Sequence, residues 1–344
     1  MGDKHVVRFE PVGIEIEVDE EQTVLRAAFD QGIMLMHGCK EGQCSSCKSF
    51  LLDGDDVELD KYSTFALPDF EKEEGFTLLC RAHVYEDVTI ELLNFDEEMI
   101  RSGLPVTDAV AEVVANDAVT HDMRHLVLRL VSSDDFKFFP GQYVDITVPG
   151  TDEVRSFSMA NTSARESGQL EFIIKIYPDG LFSDYLDKKL KVGDQLNLTG
   201  PFGVFTLRDA PDKDLVFVGG GAGMAPILSL LRSMAERGIE RKAVYYYGAR
   251  RQSDLCFESE LRALEQTLPS FRYVPALSDE DWAGENGLIT DVVSRSESAL
   301  ARAHAYICGP PPMVEAAVPL LTRLGVPEKH VYWDKFTTTG EPSA

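Results

Sequence analysis

Hydrophobic and polar positions first alternate over residues 6–18. Val7, Phe9, Ile14, Ile16 and Val18 share one side of a period-two pattern, and residues 11–13 supply a turn. Residues 23–29 (TVLRAAF) shift to helical periodicity. A cysteine-bearing loop follows, then a strand over 49–52 ending at Asp53 and Gly54, and a last strand over 87–93. This pattern predicts a small mixed sheet with one helix packed on it. The alternation breaks over 99–105 at RSGLP, which reads as a linker. From 106 to 207 come six short segments (AEVVAND, HLVLRLV, QYVDITV, RSFSMAN, LEFIIKIY and QLNLTG), separated by Gly and Pro turns at barrel-like spacing. Beyond 208 the texture becomes strand–helix–strand. Strands are expected at 214–218, 242–247 and 303–308, and helices from Pro226, over 257–268 and over 313–324. The predicted boundaries are therefore 1–98, a linker 99–105, 106–207 and 208–344.

Charge sharpens this division. The chain of 344 residues carries a formal charge of −25, and residues 1–98 hold 24 acidic and 8 basic side chains, a net −16. Such a surface repels phosphate backbones, so nucleic acid is not an expected partner. It suits solubility, and equally an acidic face that docks on a basic patch of another protein. The most apolar stretch, 215–231, is interrupted by glycines and Pro226 and is too short to span a bilayer. With no leader-like segment in the sequence and unpaired-looking thiols, a cytoplasmic protein without membrane contact is expected.

The strongest chemical signal is four cysteines. Cys39, Cys44 and Cys47 lie in HGCKEGQCSSCK, and Cys80 lies in TLLCRAH, giving C-x4-C-x2-C and a distant fourth. This is the plant-type spacing for a 2Fe–2S cluster. Gly38 and Gly42 suit a loop whose amides approach the sulfurs closely. The competing reading is zinc, with His83 as the nearest histidine that could assist. Cys256 reads as a buried structural thiol, and His121 and His125 stand on a strand-and-turn segment unsuited to metal.

Two further constellations point to nucleotide cofactors. Arg155, Ser156, Phe157 and Ser158 offer a cation for pyrophosphate, an aromatic face, and a hydroxyl for a flavin N5. Ile174 and Lys175 follow, and then Gly180 and Ser183 at a predicted helix start, where free amides favour an anion. Gly220, Gly221, Gly223, Met224 and Pro226 follow a strand and open a helix, the setting for a second pyrophosphate. Cys308, Gly309 and Pro310 follow a later strand, which places the Cys308 thiol at a carboxyl edge where open α/β sheets bind ligands. Arg250, with Arg251, ends the second strand near an expected adenosine ribose. The pair fits a 2′-phosphate or flanks a plain ribose, so NADPH and NADH both remain open.

These motifs in this order resemble the ferredoxin–NADP reductase superfamily joined to an N-terminal plant-type ferredoxin domain. Closer in, GCKEGQCSSCKSFLLDGD, ELLNFDEEMI, RSFSMAN, CGPPPMVEA and WDKFTTTG resemble the reductase components of soluble multicomponent diiron monooxygenases. The resemblance implies a multidomain α+β and α/β architecture: a β-grasp 2Fe–2S domain, an antiparallel Greek-key β-barrel for FAD, and a parallel-sheet α/β domain for NADH. It implies Arg155, Phe157 and Ser158 at the flavin, Gly180 and Ser183 at its pyrophosphate, and Gly220 to Pro226 at the NADH pyrophosphate. Cys308 would face the nicotinamide and Phe336 would cover the isoalloxazine. It further implies electron flow from NADH through FAD to the cluster, then to a diiron hydroxylase that docks on the acidic domain. The same module could serve a Rieske ring-hydroxylating dioxygenase. A free monomer is expected.

Overall fold

The computed structural model describes residues 2–101, 103–131, 136–163 and 168–336. Ser102 of the expected linker and the tail after Phe336 lie outside the described residues. The described chain divides into two compact units. The first takes in residues 2–107 with Gly200–Val204, and the second takes in Asp108–Thr199 with the residues from Phe205 onward.

In the first unit the predicted alternation becomes a hairpin of β1 (Lys4–Glu10) and β2 (Ile14–Asp19). Val7, Phe9, Ile14, Ile16 and Val18 are all buried. α1 (Val24–Asp30) starts where Thr23 Oγ1 accepts the Arg26 N–H at 3.3 Å. Then come β3 (Lys48–Asp53), β4 (Val57–Leu59), α2 (Asp69–Glu73), β5 (Phe76–Leu78), β6 (Ala82–Val84) and β7 (Val88–Leu92). One sheet runs β2-β1-β7-β3-β5, with β1 and β7 parallel, while β4 and β6 form a separate pair. The pieces not anticipated from sequence (β4, β5, β6, α2) are three to five residues long, too short to show a period.

The second unit opens with β8 (Thr107–Ala118), β9 (Met123–Leu130), β10 (Tyr143–Thr147), β11 (Val154–Ser158), β12 (Gln169–Lys175), α3 (Leu181–Lys188) and β13 (Gln195–Phe202). The sheet order is β11-β10-β13-β8-β9-β12. A bridge between Met159 and Phe172 joins its two edges, so the sheet closes into a Greek-key barrel. Val113, Leu126, Leu128, Val144, Ile146 and Phe172 fill its interior.

The remaining elements are β14 (Asp214–Gly220), α4 (Met224–Arg237), β15 (Ala243–Ala249), α5 (Glu258–Thr267), β16 (Phe271–Leu277), β17 (Glu285–Asn286), α6 (Ile289–Ser296), β18 (Ala303–Gly309), α7 (Pro311–Arg323) and β19 (Val331–Lys335). The strands are parallel throughout, ordered β17-β16-β15-β14-β18-β19. Tyr245 and Tyr247 face α4 and α5, and Tyr246 faces α6 and α7. Two covered faces explain why these strands are continuously apolar. The order reverses between β14 and β18, which makes their carboxyl ends the switch point. No helix among the described residues is long and apolar enough to cross a membrane.

The expected boundary at 207–208 falls inside the second unit. One apolar core there includes Met123, Ala160, Ile173 and Phe205 together with α4 and β14 residues. Arg232 of α4 is 5 % exposed and bonds Glu260 (2.8 Å, twice) and Glu171 of β12 (3.0 Å). Burial works to raise the Glu171 carboxyl. The His125 hydrogen bond and the Arg232 charge outweigh it and hold the group at about 2. An unfolded glutamate titrates near ~4.3, so this stabilisation is complete above that pH and is lost as pH falls towards 2. Glu171→Gln is expected to cost about 3 kcal/mol at pH 7 and close to nothing near pH 2. Urea denaturation of both proteins at the two pH values measures the difference.

Candidate functional site

The thiols come together through register. β3 and β5 pair antiparallel with Lys48 opposite Leu78, and the Leu79 N–H donates to the Cys47 carbonyl at 3.3 Å. Cys80 is thus carried to the cysteine loop from far along the chain. The Arg81 guanidinium ties the same corner down by donating to the Glu41 carbonyl. Cys47 and Cys80 are buried, Cys39 and Cys44 half-buried, and none is in a disulfide.

Among the described residues no three Cys, His, Asp or Glu side chains gather as a single ion would require. The sulfurs meet two by two instead, Cys39 with Cys44 and Cys47 with Cys80. Two pairs of thiols suit a core of two irons. The hydrogen bond with Cys39 brings the Cys44 thiol down to about 5. The backbone N–H groups of Glu41, Gln43 and Cys44 point at Cys39 Sγ from 3.4, 3.2 and 3.3 Å. That donor set stabilises a thiolate-held, negatively charged core. A Cβ on Gly38 would lie 2.9 Å from Cys44 Sγ, so any side chain there would have to displace that thiol. His83, the assistant of the zinc alternative, is engaged elsewhere: Nδ1 with the Glu20 carbonyl and Nε2 with Asp60.

β11 presents Arg155, Ser156, Phe157 and Ser158 in sequence. Ser156 Oγ donates to Asp145 at 2.6 Å, and Arg155 pairs with Glu153 at 2.9 Å. The Phe157 ring lies 4.8 Å from Phe182 of α3, and Ser158 is buried opposite Tyr143. Gly180 caps α3, while Ser183 Oγ accepts the Tyr177 N–H at 3.0 Å. Ile174 points into the barrel core. Phe157 packs against that same core, and the Lys175 ammonium meets Asp122 at 2.9 Å.

At the switch point the backbones of two loops cross. A Cβ on Gly223 would stand 2.1 Å from the Cys308 carbonyl oxygen, so only glycine fits. Gly221 has φ +55° with open space around it. Met224 is fully buried beside Cys256 Sγ, and Pro226 occupies the first turn of α4, where no N–H is needed. Pro310 caps α7, and Arg250 is exposed at the end of β15. Cys308 is fully buried, and burial pushes its thiol well up, the nearby Asp334 adding to the shift. The Phe336 N–H donates to the Gly309 carbonyl at 3.0 Å, and Phe336 packs against the core cluster that includes Cys308.

Three features are absent from the sequence reading. Asp334 sits opposite Cys308 in register, and burial of its carboxyl pushes it up to about 6 although the residue as a whole is only half-buried. A single acid within VYWDK carries no signal of burial. Phe65 is 94 % exposed on the turn that closes over the cysteine loop, through Ser63 N–H to the Gly42 carbonyl and Ser45 Oγ to the Ala66 carbonyl. Its neighbours Ala66 and Leu67 are buried, so alternation hid it. The third is the segment Ala160–Thr162, whose carbonyls accept from Ser229 and Arg232 of α4 and whose Thr162 hydroxyl donates to Glu236 of α4.

The chain matches three family descriptions: "2Fe-2S iron-sulfur cluster binding domain" over residues 7–85, "Oxidoreductase FAD-binding domain" over 110–207, and "Oxidoreductase NAD-binding domain" over 217–318. It is 50% identical to the reductase component of propane 2-monooxygenase from Mycolicibacterium goodii, across 98% of this chain and 99% of that protein. It is 31% identical to the electron transfer component of toluate 1,2-dioxygenase from Pseudomonas putida, across 94% and 95%. Among solved structures, the Amycolatopsis cytochrome P450 reductase superposes with a TM-score of 0.87 at 30% identity, covering 97% of this chain and 99% of that one. The three matched modules make this chain an oxidoreductase with 2Fe–2S, FAD and NAD sites.

The contact geometry separates two glycine substitutions. Gly223→Ala drives a methyl into the Cys308 carbonyl and is expected to cost at least about 2 kcal/mol. Gly221→Ala meets only backbone strain, about 1 kcal/mol. Thermal melts of both variants rank them. At the first site, Cys44→Ser is expected to remove the visible sulfur-to-iron absorbance and leave the FAD bands, which a spectrum of the purified protein shows directly.

Proposed function

The chain belongs to the reductase components of multicomponent bacterial monooxygenases, within the ferredoxin–NADP reductase superfamily, and from that premise we propose which partner it serves and which residues serve it. It takes electrons from NADH and delivers them to the diiron hydroxylase of a hydrocarbon monooxygenase of the propane-oxidising kind. The observation that carries this reading is 50% identity to such a reductase along essentially the whole of both chains. The similarity to a dioxygenase component is lower, at 31%.

When bound, the flavin accepts a hydride and releases electrons singly, which couples a two-electron donor to a one-electron iron–sulfur carrier. The chain's own residues prepare those sites. Arg155, Ser156 and Phe157 hold the flavin, with Gly180 and Ser183 at its pyrophosphate and Ser158 offering a hydroxyl at N5. Gly220, Gly221, Gly223, Met224 and Pro226 cradle the NADH pyrophosphate, with Arg250 at the ribose end and Gly309–Pro310 walling the nicotinamide. Cys308, kept neutral by burial, faces the nicotinamide without placing an anion beside it. Phe336, anchored on Gly309, covers the flavin ring until the nicotinamide arrives.

The acidic N-terminal unit docks on the hydroxylase. Its net −16 over residues 1–98 supplies steering, and Phe65 offers an aromatic anchor beside the cysteine loop. The protein works in the cytoplasm as a monomer when free.

Anaerobic titration of the purified protein with NADH, and separately with NADPH, tests the electron path. Substoichiometric NADH is expected to bleach both flavin and cluster bands; bleaching by NADPH alone would reassign Arg250 and Arg251 as 2′-phosphate ligands. Mixing with the hydroxylase of a propane monooxygenase, and separately with a Rieske oxygenase, tests the partner. Turnover with the Rieske oxygenase alone would overturn the diiron assignment.

A further inference from the structure

One face of α4 carries polar side chains at 229, 232 and 236, the i, i+3, i+7 spacing of a single helical stripe. All three reach the same short segment. Ser229 Oγ donates to the Asn161 carbonyl at 2.6 Å, and Arg232 Nη1 donates to the Ala160 carbonyl at 2.9 Å. Thr162 Oγ1 donates to the Glu236 carboxylate at 2.7 and 2.8 Å. Ser229, Arg232, Asn161 and Thr162 are all buried. On the other side of the segment, Asn161 Oδ1 accepts the Glu171 N–H and Asn161 Nδ2 donates to the Gln169 carbonyl, which fixes it to β12.

The two ends of this seam matter. Ala160 is two residues beyond Ser158, and α4 starts at Met224, directly after the glycine loop. At ~1.5 Å of rise per residue, Ser229 and Arg232 lie about 8 and 12 Å from that start. One rigid helix therefore joins the loop at the nicotinamide site to the continuation of the flavin strand. Apolar packing, which is non-directional, surrounds these bonds. The seam and the Arg232–Glu171 pair are directional bonds that tie α4 to the barrel.

We propose that Ser229 and Arg232 are positioning residues that set the approach of the nicotinamide to the flavin, acting through the backbone of Ala160 and Asn161. The proposal rests on the assignment of the FAD and NADH sites to these loops. The step at stake moves one hydride, a proton with two electrons, from C4 of the dihydronicotinamide to the flavin, leaving oxidised nicotinamide and reduced flavin. Its rate depends steeply on donor–acceptor geometry, so a misplacement of about 1 Å costs up to ~10²-fold. The side chains of Ser229, Arg232 and Glu236 bond the Ala160–Thr162 segment, which follows Ser158 in the chain.

The test uses Ser229→Ala, Arg232→Met and Arg232→Lys in the full chain with its cofactors. Anaerobic single-turnover reduction of the flavin by NADH is expected to slow about tenfold in Arg232→Met and about threefold in Ser229→Ala. The isotope effect with 4-deuterated NADH is expected to rise, and the dissociation constant of NAD⁺ to stay within about twofold. Arg232→Lys, which keeps one donor, restores part of the rate. Amide hydrogen exchange over Ala160–Thr162 is expected to quicken in the two disruptive variants, a readout independent of turnover. Variants that melt earlier yet keep the wild-type hydride rate and isotope effect would reduce the seam to scaffolding and overturn the proposal. Should Arg232→Met fail to fold, Ser229→Ala decides by the same criteria. A wild-type protein whose flavin NADH does not bleach removes the underlying site assignment, and this proposal with it; that control is run first.

Discussion

The crossing of two backbones at the carboxyl ends of β14 and β18 is the constraint on which the nucleotide half depends. Gly223 passes so close to the Cys308 carbonyl that no side chain can stand between them. Given that approach, the glycine loop and the Cys308 loop form one surface at the switch point of the sheet. β19 then adds in parallel beside β18 and delivers Phe336 to the Gly309 carbonyl. A few tenths of an ångström at Gly223 would move the glycine loop, the thiol and the terminal aromatic together.

The barrel and the nucleotide sheet, which look like separate domains in sequence, are bound by more than proximity. They share an apolar core, and the Arg232 guanidinium buried beside it is paired. Arg232 faces two carboxylates and a carbonyl, which compensates the desolvation of its guanidinium. Partial pairing would have been worse than an apolar helix face. Completeness is what makes the arrangement directional.

Much of this was legible in the chain. The barrel strands alternate because one face is core and the other is wet, and each of the six expected segments has its strand. The cysteine spacing is the plant-type spacing for a 2Fe–2S loop. The parts that were hidden share a physical cause. β4, β6 and β17 are two or three residues long, and their existence depends on partners distant in sequence. β19 carries an exposed Trp333 and the withdrawn Asp334, the reverse of what polarity suggests for each. The pleat of β12 turns the Ile174 side chain into the barrel core. The polar stripe of α4 has helical spacing visible in sequence, yet nothing local says that its partner is a three-residue segment more than sixty positions away.

The pairing of β3 with β5 has a mechanical side. Cys47 and Cys80 stand at the same end of that strand pair, and the chain between them forms a closed excursion containing β3, β4, α2 and β5. An iron held by both thiolates would tie off this excursion as a covalent clasp, and cross-linking a loop of this size would limit the unfolded chain by about 3–4 kcal/mol. The electron carrier is then also a fastener. Loss of iron would cost the N-terminal unit part of its resistance to unfolding as well as its redox centre, so the lifetime of this unit would follow the iron supply of the cell that makes it.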